Sequence, residues 1–200
     1  YRFAGWEGLA SQQDSLIFVP DTDTTLTAHF ESIHSNGLTI VINEINYHSA
    51  SFFDVKDWIE LQNVTDVEMD LSNWLLKDSE DDHSFSFPSG TTFPPRGHLI
   101  ISRELRRFRA LFPHVRQVIG DFDFGFSSEG DIVRLYDRFG TLIDSVAYKP
   151  TSPWPKNANG KGATLALTFP HADNNQARNW FASFPHGTPG QPNIRIAPFE

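Results

Sequence analysis

The side chains with the clearest chemical potential in this sequence form an acidic run at residues 78–82. Asp78, Glu80, Asp81 and Asp82 place four carboxylates within five residues. Calcium is a hard cation that takes carboxylate and carbonyl oxygens, so these residues are candidate ligands for Ca²⁺. The run lacks the central glycine and the distal glutamate of an EF-hand loop. A solvated acidic loop is therefore the alternative interpretation.

A second candidate cation site combines Glu44, Asp57 and Glu60 with Asp78. Successive residues of a strand point to opposite faces of a sheet, and Asp57 and Glu60 are three positions apart. If both lie in one regular strand, they should not share a face. Calcium is thus the one candidate ion, and the sequence predicts no other cofactor.

Charge is unevenly distributed along the chain. The 200 residues carry a formal net charge of −9, and ten of the 25 acids fall between residues 54 and 82. Five arginines lie between residues 103 and 116, against a single glutamate. Neutralisation of phosphates by Lys and Arg drives nucleic-acid binding, so the net charge opposes a general nucleic-acid-binding role. Each charged region is either a solvated surface or a surface for a partner.

Local signatures of catalysis are absent from the sequence. It contains no Gly-x-Ser-x-Gly, no His-Glu-x-x-His and no Gly-x-x-x-x-Gly-Lys, the motifs of three common routes to hydrolysis or phosphoryl transfer. Asp123-Phe-Gly125 spells the magnesium-binding triplet of protein kinases, but no other kinase motif accompanies it. There is no cysteine for disulfides, thiolate catalysis or zinc, and the eight histidines are widely spaced and expected at the surface. We predict that the chain is not an enzyme.

The elements that position these residues are predicted to be mostly strands. The chain holds 18 Phe, 5 Trp and 4 Tyr together with 13 Gly and 13 Pro, as short strands with tight turns require. Segments of about ten-residue spacing, rich in β-branched and aromatic residues, predict an antiparallel β-sandwich. The predicted strands are Leu38–Tyr47, Trp58–Gln62, Trp74–Lys77, Ser84–Phe87, His98–Ser102, Asp131–Tyr136, Leu142–Tyr148 and Thr164–Thr168.

One short helix is predicted between these strands, after Ser102 as its cap and before Pro113. Its apolar face consists of Leu105, Phe108 and Phe112, and its opposite face carries Arg103, Arg106 and Arg107. These three arginines are either a solvated outer face or an interaction surface. The longest apolar run, Leu38–Ile42, is far shorter than the roughly 20 residues of a bilayer-spanning helix, so no transmembrane segment is expected.

The chain is expected to contain two folded parts. Residues 1–33 show three short alternating segments, and Ser35-Asn36-Gly37 is a turn signal, so residues 34–37 form the predicted linker. Residues 38–193 form the sandwich and residues 194–200 a tail. The first part resembles the closing half of repeat modules of bacterial surface proteins, through the segments Gly5-Trp6, Leu16–Val19 and Thr25–Phe30. This resemblance implies a fragment of a longer, exported multidomain protein.

An ordered series of motifs follows in the larger part. They are Val41-Ile-Asn-Glu-Ile45, Asp57-Trp-Ile-Glu-Leu-Gln-Asn63, Asp70-Leu-Ser-Asn-Trp74, Phe85-Ser-Phe-Pro-Ser-Gly-Thr91, Gly130-Asp-Ile-Val-Arg-Leu-Tyr-Asp137, Gly140-Thr-Leu-Ile-Asp-Ser-Val146, Trp154-Pro155 and Gly187-Thr-Pro-Gly-Gln-Pro-Asn193. This succession resembles the lamin tail domain in its bacterial, exported form. Asn73 stands where the family usually has glycine; because Asn tolerates a left-handed φ, the turn should survive.

The resemblance implies an all-β, immunoglobulin-like antiparallel sandwich. It also implies a secreted or cell-surface bacterial protein, of the kind found beside CotH-type kinase-like domains. The expected role is a non-catalytic structural or interaction module, whose partners are an unidentified protein or cell-envelope component and the neighbouring domains of the parent chain. No heptad rod precedes the domain, so a nuclear role is not implied.

Two other functions remain open from the residues alone. One is a calcium-stabilised ligand- or carbohydrate-binding module, which would use the acidic residues and an exposed Trp154 between Pro153 and Pro155. The other is nucleic-acid binding through the Arg-rich helix, which the net charge opposes.

Overall fold

The computed structural model describes residues 2–6, 25–31, 39–183 and 185–195. The chain divides into two compact units, Tyr1–Leu38 and Thr39–Glu200. In the first unit, β1 (Arg2–Trp6) pairs antiparallel with β2 (Ala28–Glu31), and Trp6 lies opposite Ala28. The segment Leu16–Val19, predicted as a strand, lies outside the described residues.

In its described residues, 39–183 and 185–195, the second unit contains twelve short strands and one α-helix. Its strands are β3 (Ile40–Asn46), β4 (Trp58–Asn63), β5 (Met69–Asp70), β6 (Leu75–Lys77), β7 (Phe85–Ser86), β8 (Thr92–Phe93), β9 (His98–Ser102), β10 (Val118–Gly120), β11 (Asp131–Tyr136), β12 (Leu142–Tyr148), β13 (Thr164–Leu167) and β14 (Trp180–Ser183). The helix α1 spans Leu105–Leu111, and three 3-10 turns occupy Ser51–Phe53, Lys156–Ala158 and Ala177–Asn179. Within the described ranges, no helix has the length and apolarity to cross a bilayer.

Two main sheets make up the sandwich. The larger has the strand order β10-β9-β4-β3-β13-β14, and the smaller has the order β12-β11-β6-β7. Strands β5 and β8 form a separate two-stranded antiparallel ladder. Strand β11 alternates between buried and more exposed residues, as expected for a sheet with one face toward solvent. Strand β3 is buried along its whole length, which indicates that both faces of the larger sheet are covered.

The outer face of the larger sheet is covered in part by α1. Trp58 of β4 and Ile100 of β9 belong to one apolar cluster with Phe108, Phe112 and Val115. The rings of Trp58 and Phe108 lie 5.9 Å apart in an edge-to-face arrangement, which is a favourable geometry for aromatic pairs. The amphipathic pattern of the helix sequence therefore places its apolar face on the sheet, as predicted.

The eight strands predicted between residues 38 and 168 are all present, with small differences at their ends. The predicted helix cap is wrong. Ser102 is the last residue of β9 and is fully buried. The helix begins at Leu105, whose backbone N–H donates to Asp121 Oδ1 at 2.9 Å. The cap therefore comes from a residue that follows the helix in the chain, which local spacing does not reveal.

One strand pair departs from the antiparallel prediction. Strand β10 runs parallel to β9, with Gly120 opposite Ser102. The two strands are joined through α1, and a crossover connection that contains a helix brings the chain back in the same direction. The antiparallel description holds for the other strand pairs of the described ranges.

Two predicted turns are confirmed by their backbone geometry. Asn73 has φ of 62°, the left-handed conformation expected for the residue in the usual glycine position. Gly140 has φ of 81° and closes the β11–β12 hairpin, where its N–H donates to the carbonyl of Asp137 at 3.1 Å. The carboxylate of Asp137 also accepts the N–H groups of Phe139 and Thr141, at 2.8 Å each.

Candidate functional site

Two glutamates face each other in the middle of the larger sheet. Glu44 of β3 lies opposite Glu60 of β4, next to a bulge in the ladder. Both residues are fully buried, with an exposed fraction of 0%. Like charges directly opposite on a sheet repel, and buried carboxylates need hydrogen-bond donors. The structure must therefore supply donors to both side chains.

The donors to Glu44 come from β13 and from residues 186–193, called here the closing segment. Thr164 donates its hydroxyl to Glu44 Oε1. Thr188 donates its backbone N–H to Glu44 Oε1 at 3.1 Å and its hydroxyl to Glu44 Oε2 at 3.3 Å. Glu44 thereby joins β3 to a turn that lies 144 residues further along the chain.

The donors to Glu60 come from the same side of the sheet. Asn43 donates its side-chain amide to Glu60 Oε1 at 2.7 Å, and Gly190 donates its backbone N–H to Glu60 Oε2 at 2.6 Å. His98 Nδ1 is 3.4 Å from Glu60 Oε1 and is buried without a hydrogen-bond partner. The His98 side chain is only 8% exposed, so the expectation that every histidine lies at the surface is wrong for this residue.

The closing segment lies directly against this carboxylate pair. A Cβ atom at Gly187 would be 2.6 Å from Glu44 Oε1 and 3.0 Å from the Trp58 ring, and Gly187 has φ of +88°. Only glycine fits such a close approach without strain. At the end of the segment, the amide of Asn193 donates to the carbonyls of Asn43 at 3.0 Å and Leu167 at 2.9 Å.

Burial changes the acidity of Glu44. Desolvation, followed by the negative charge of Glu60, raises the pKa of Glu44 to about 8, although the hydrogen bonds from Thr164 and Thr188 oppose the shift. Burial disfavours the charged form of a carboxyl group, so Glu44 keeps its proton at neutral pH. Since both carboxyls are closed off from solvent, they cannot reach a substrate. What they do is fasten the closing segment to the sheet.

The sequence was compared with models of protein families. A model of the lamin tail domain matches residues 34–150, more than half of the chain. The chain belongs to the lamin tail domain family. No curated protein matches the sequence. Lamin tail domains are immunoglobulin-like and generally non-catalytic structural or interaction domains, which agrees with the fold and with the general role expected from the sequence.

Two of the four predicted calcium ligands in the acidic run, Asp78 and Asp81, have partners within this lamin tail domain. Asp78 is buried, and its carboxylate accepts the N–H of Glu80 at 2.8 Å and lies 2.7 Å from His83 Nδ1. The hydrogen bond with Asp78 raises the pKa of His83. Asp81 pairs with Arg134 at 2.9 Å. These contacts fix the loop after β6.

The seven acids considered as calcium ligands lie in three separate places. Glu44 and Glu60 lie under the closing segment, and Asp57 accepts the N–H of Phe126 at 2.9 Å. The others, Asp78, Glu80, Asp81 and Asp82, are in the loop after β6, where Glu80, Asp81 and Asp82 are exposed. In the part of the chain that the structure describes, no three His, Asp or Glu side chains are arranged to hold a metal ion.

Asp57 and Glu60 bond to different segments of the chain. Asp57 precedes β4 and is 3.5 Å from Arg103 Nη1. Burial raises the pKa of Asp57 to about 6, and the hydrogen bond from Phe126 and the charge of Arg103 oppose that shift. Asp57 therefore positions the 121–126 segment beside β4 and does not act together with Glu60.

Of the three predicted interaction arginines, Arg106 and Arg107 are exposed on α1. Arg103 does not lie on the helix face as predicted, because it precedes the helix and is 3.5 Å from Asp57. Arg107 Nη1 is 3.5 Å from both Asp54 Oδ2 and Glu104 Oε2. Arg106 is exposed and forms no ion pair with the residues that the structure describes. A hollow of about 370 Å³ at this position is lined by Arg106 and Arg107 but also by Glu104 and Asp121. Its mixed charge gives a polyanion little net attraction.

The prediction that Trp154 is an exposed interaction residue is wrong. Trp154 is buried, with 7% of its surface exposed. Its ring centroid lies 6.0 Å from that of Trp180 in β14. The flanking residues Pro153 and Pro155 suggested a surface loop, but an aromatic side chain next to prolines can equally turn inward and pack.

Sequence reasoning missed Asp144 of β12 as a structural acid. Its carboxylate accepts the backbone N–H of Ile42 and the side-chain amide of Asn174, at 2.7 Å each. Burial raises the pKa of Asp144 to about 6, against the effect of these hydrogen bonds. The sequence did offer one indication, since Asp144 lies within the predicted strand Leu142–Tyr148, where an acid is unusual. Its partner could not be inferred, because Ile42 is 102 residues away.

Proposed function

We propose that this lamin tail domain is a non-catalytic structural and interaction module of a secreted or cell-surface bacterial protein with several domains. The observation that carries the proposal is how the buried acids are used. Glu44, Glu60, Asp57 and Asp144 each accept hydrogen bonds from the backbone of the domain itself. Side chains engaged in this way maintain a fold and leave the exposed surface for recognition.

The location is supported by the first 33 residues. Their resemblance to bacterial surface repeats suggests that the parent protein is exported, with residues 34–37 as the linker to the sandwich. The absence of cysteine from all 200 residues is compatible with a sandwich stabilised by aromatic packing and not by disulfides. A CotH-type kinase-like domain is the neighbour that we propose within the parent chain.

Surface labelling of intact cells tests the location. The full-length protein is expressed in its natural host, and cells are treated with a protease or an antibody that does not cross the membrane. We expect the domain to be cleaved or labelled in intact cells, while a cytoplasmic control protein stays protected. Protection of the domain until the cells are lysed would contradict export.

A domain exchange separates an interaction role from a spacer role. In the full-length protein, residues 39–195 are replaced by an unrelated immunoglobulin-like domain of similar size. An interaction module should lose its attachment to the natural partner or envelope component after this exchange. Unchanged attachment, with normal export and stability, would reduce the domain to a spacer.

A further inference from the structure

A basic concave surface lies between the end of α1 and the closing segment. It consists of two adjoining hollows of about 430 and 380 Å³, which share Val115 and Arg116. The larger hollow is also lined by His98, His114, Gln117 and Gln191, and the smaller by Arg109 and Pro113. We call this surface the basic hollow. Its volume is in the range of pockets that hold small ligands.

Among the residues that the structure describes, the lining of the basic hollow includes no acidic side chain. Arg109 and Arg116 are exposed, and neither forms an ion pair with any part of the chain that the structure describes. Arg107, on the same helix, is by contrast close to two carboxylates. In a chain with a net charge of −9, two unpaired arginines at one concave site form a local region of opposite charge.

The walls of the basic hollow are fixed by the fold. The carbonyl of Gln117 accepts the N–H of Ile100 at 3.0 Å, and the N–H of Val115 donates to Phe112 at 3.1 Å. On the opposite wall, Glu60 holds Gly190 at 2.6 Å. A site that is ordered before it binds loses less conformational entropy on binding.

His98 connects the hollow to the buried carboxylate pair. The His98 side chain is only 8% exposed, and its Nδ1 lies 3.4 Å from Glu60 Oε1. A polar side chain that is buried at the base of a basic concavity is a typical component of a ligand site.

The chemistry of this lining fits a ligand with both oxyanions and hydroxyl groups. A guanidinium group binds carboxylate, sulfate or phosphate oxygens in a forked geometry. The amides of Gln117 and Gln191 can both donate and accept, as sugar hydroxyls do. Pro113, which is exposed, offers apolar surface for the carbon face of a sugar ring. We propose that the basic hollow binds an acidic polysaccharide, with Arg109 and Arg116 as the ligands of its oxyanions.

Two other polyanions fit the hollow less well. Single-stranded nucleic acid is usually held by aromatic side chains on which bases stack. In the described ranges, no Phe, Tyr or Trp lines the two hollows. An acidic peptide would use the arginines but would leave the paired glutamine amides without hydroxyl partners. Both polymers therefore serve as comparison ligands.

The inference deepens the proposed function, because a surface module that contacts an acidic polysaccharide is an interaction module. Its test uses the purified 200-residue chain and does not depend on where the parent protein resides. Failure of binding would leave the location to be decided by surface labelling. Failure of export would leave the binding result standing.

Calorimetric titration tests the proposal with defined probes. Oligogalacturonate provides carboxylates, dextran sulfate provides sulfates, and neutral dextran is the uncharged control. Poly-L-glutamate and single-stranded DNA of similar charge complete the set. We expect saturable binding of at least one acidic saccharide, tighter than that of polyglutamate or DNA at equal salt, and none of neutral dextran. The tighter of the two saccharides identifies the oxyanion.

Variants locate the binding site on the molecule. The double variant R109Q/R116Q should lower the affinity by about tenfold or more, because two charge-assisted hydrogen bonds are lost. R178Q is the matched control, since Arg178 is exposed and precedes β14, at the opposite edge of the larger sheet from β10. It should bind within about twofold of the natural sequence. Both variants change exposed side chains, and equal melting temperatures will confirm their folding.

Three results would overturn the proposal. The first is no binding of either acidic saccharide at low salt. The second is equal or tighter binding of polyglutamate or DNA, which would assign the surface to an acidic peptide or to nucleic acid. The third is an equal loss of affinity in R178Q and in R109Q/R116Q, which would indicate general charge attraction.

Discussion

Replacing Glu44 with glutamine removes a carboxyl group that the folded domain holds in its protonated form. The pKa of Glu44 is raised from 4.5 to about 8 by burial and by the charge of Glu60. Above pH 4.5 the unfolded chain releases this proton while the folded chain keeps it. The folded state therefore binds more protons, and the group lowers stability as the pH rises toward the folded pKa.

The size of the effect follows from these two pKa values. Between pH 5 and pH 7.5, the carboxyl of Glu44 should reduce the free energy of unfolding by roughly 3 kcal/mol. In Glu44→Gln this contribution is absent, because an amide does not titrate. The variant should lose less stability than the natural sequence over this interval, by about the same roughly 3 kcal/mol. Asp57 and Asp144 also have raised pKa values, so they too lower the free energy of unfolding as the pH rises. Their contribution is present in both proteins and remains in Glu44→Gln as a smaller dependence of stability on pH.

Urea unfolding at half-unit steps from pH 5 to pH 7.5 measures this difference. Tryptophan emission is a suitable signal, because Trp58, Trp74, Trp154 and Trp180 are all buried in the larger unit. Glu129→Gln provides the matched control at an exposed glutamate and should follow the natural sequence. The free energy of unfolding of Glu44→Gln could instead fall with pH as steeply as that of the natural sequence, or more steeply. Either result would refute the assignment of a buried, protonated Glu44.

Three further predictions concern packing and ions. Gly187→Ala should destabilise the domain by about 2 kcal/mol or more, because the new Cβ would meet a carboxylate and a tryptophan ring. Gly140→Ala is the control: the space around its Cβ is open, so it should cost about 1 kcal/mol from the positive φ alone. Equal losses of stability in urea unfolding would contradict the close approach at Gly187. Trp154→Ala should lose about 3 kcal/mol of stability, and a loss near zero would mean that the ring is exposed after all. Millimolar calcium should leave the melting temperature unchanged, because Asp78 and Asp81 already have protein partners, and a rise of several degrees that Asp78→Asn removes would show an ion site.

Eight strands were predictable because each lies in a segment of β-branched or aromatic residues bounded by turn residues. Strand β14, with four residues, was missed. Strands β5 and β8 have two residues each, too few for periodicity to be visible. Strand β10 was missed because its three residues follow a helix and pair in parallel with β9, a partner that only the tertiary fold defines.

The chemistry of the candidate site was only partly predictable. Glu44 and Glu60 were both named as candidate cation ligands, together with Asp57 and Asp78. The structure instead brings backbone N–H groups of Thr188 and Gly190 to these two glutamates. The motif that contains these donors, Gly187–Asn193, was visible in the sequence, yet its return to β3 depends on long-range packing. The basic hollow was not foreseen for the same reason, since Arg116 and Gln191 lie far apart in the sequence.

The closing segment has a mechanical consequence. Asn193, near the last described residue, donates its amide to Asn43, near the start of the sandwich. The closing segment therefore returns the chain to the strand in which the domain begins. Tension applied between residues 39 and 195 would load two sets of bonds together. One is the pairing of the start of β3 with β4, and the other is the set of hydrogen bonds that Glu44, Glu60 and Asn193 form between β3, β4 and the closing segment.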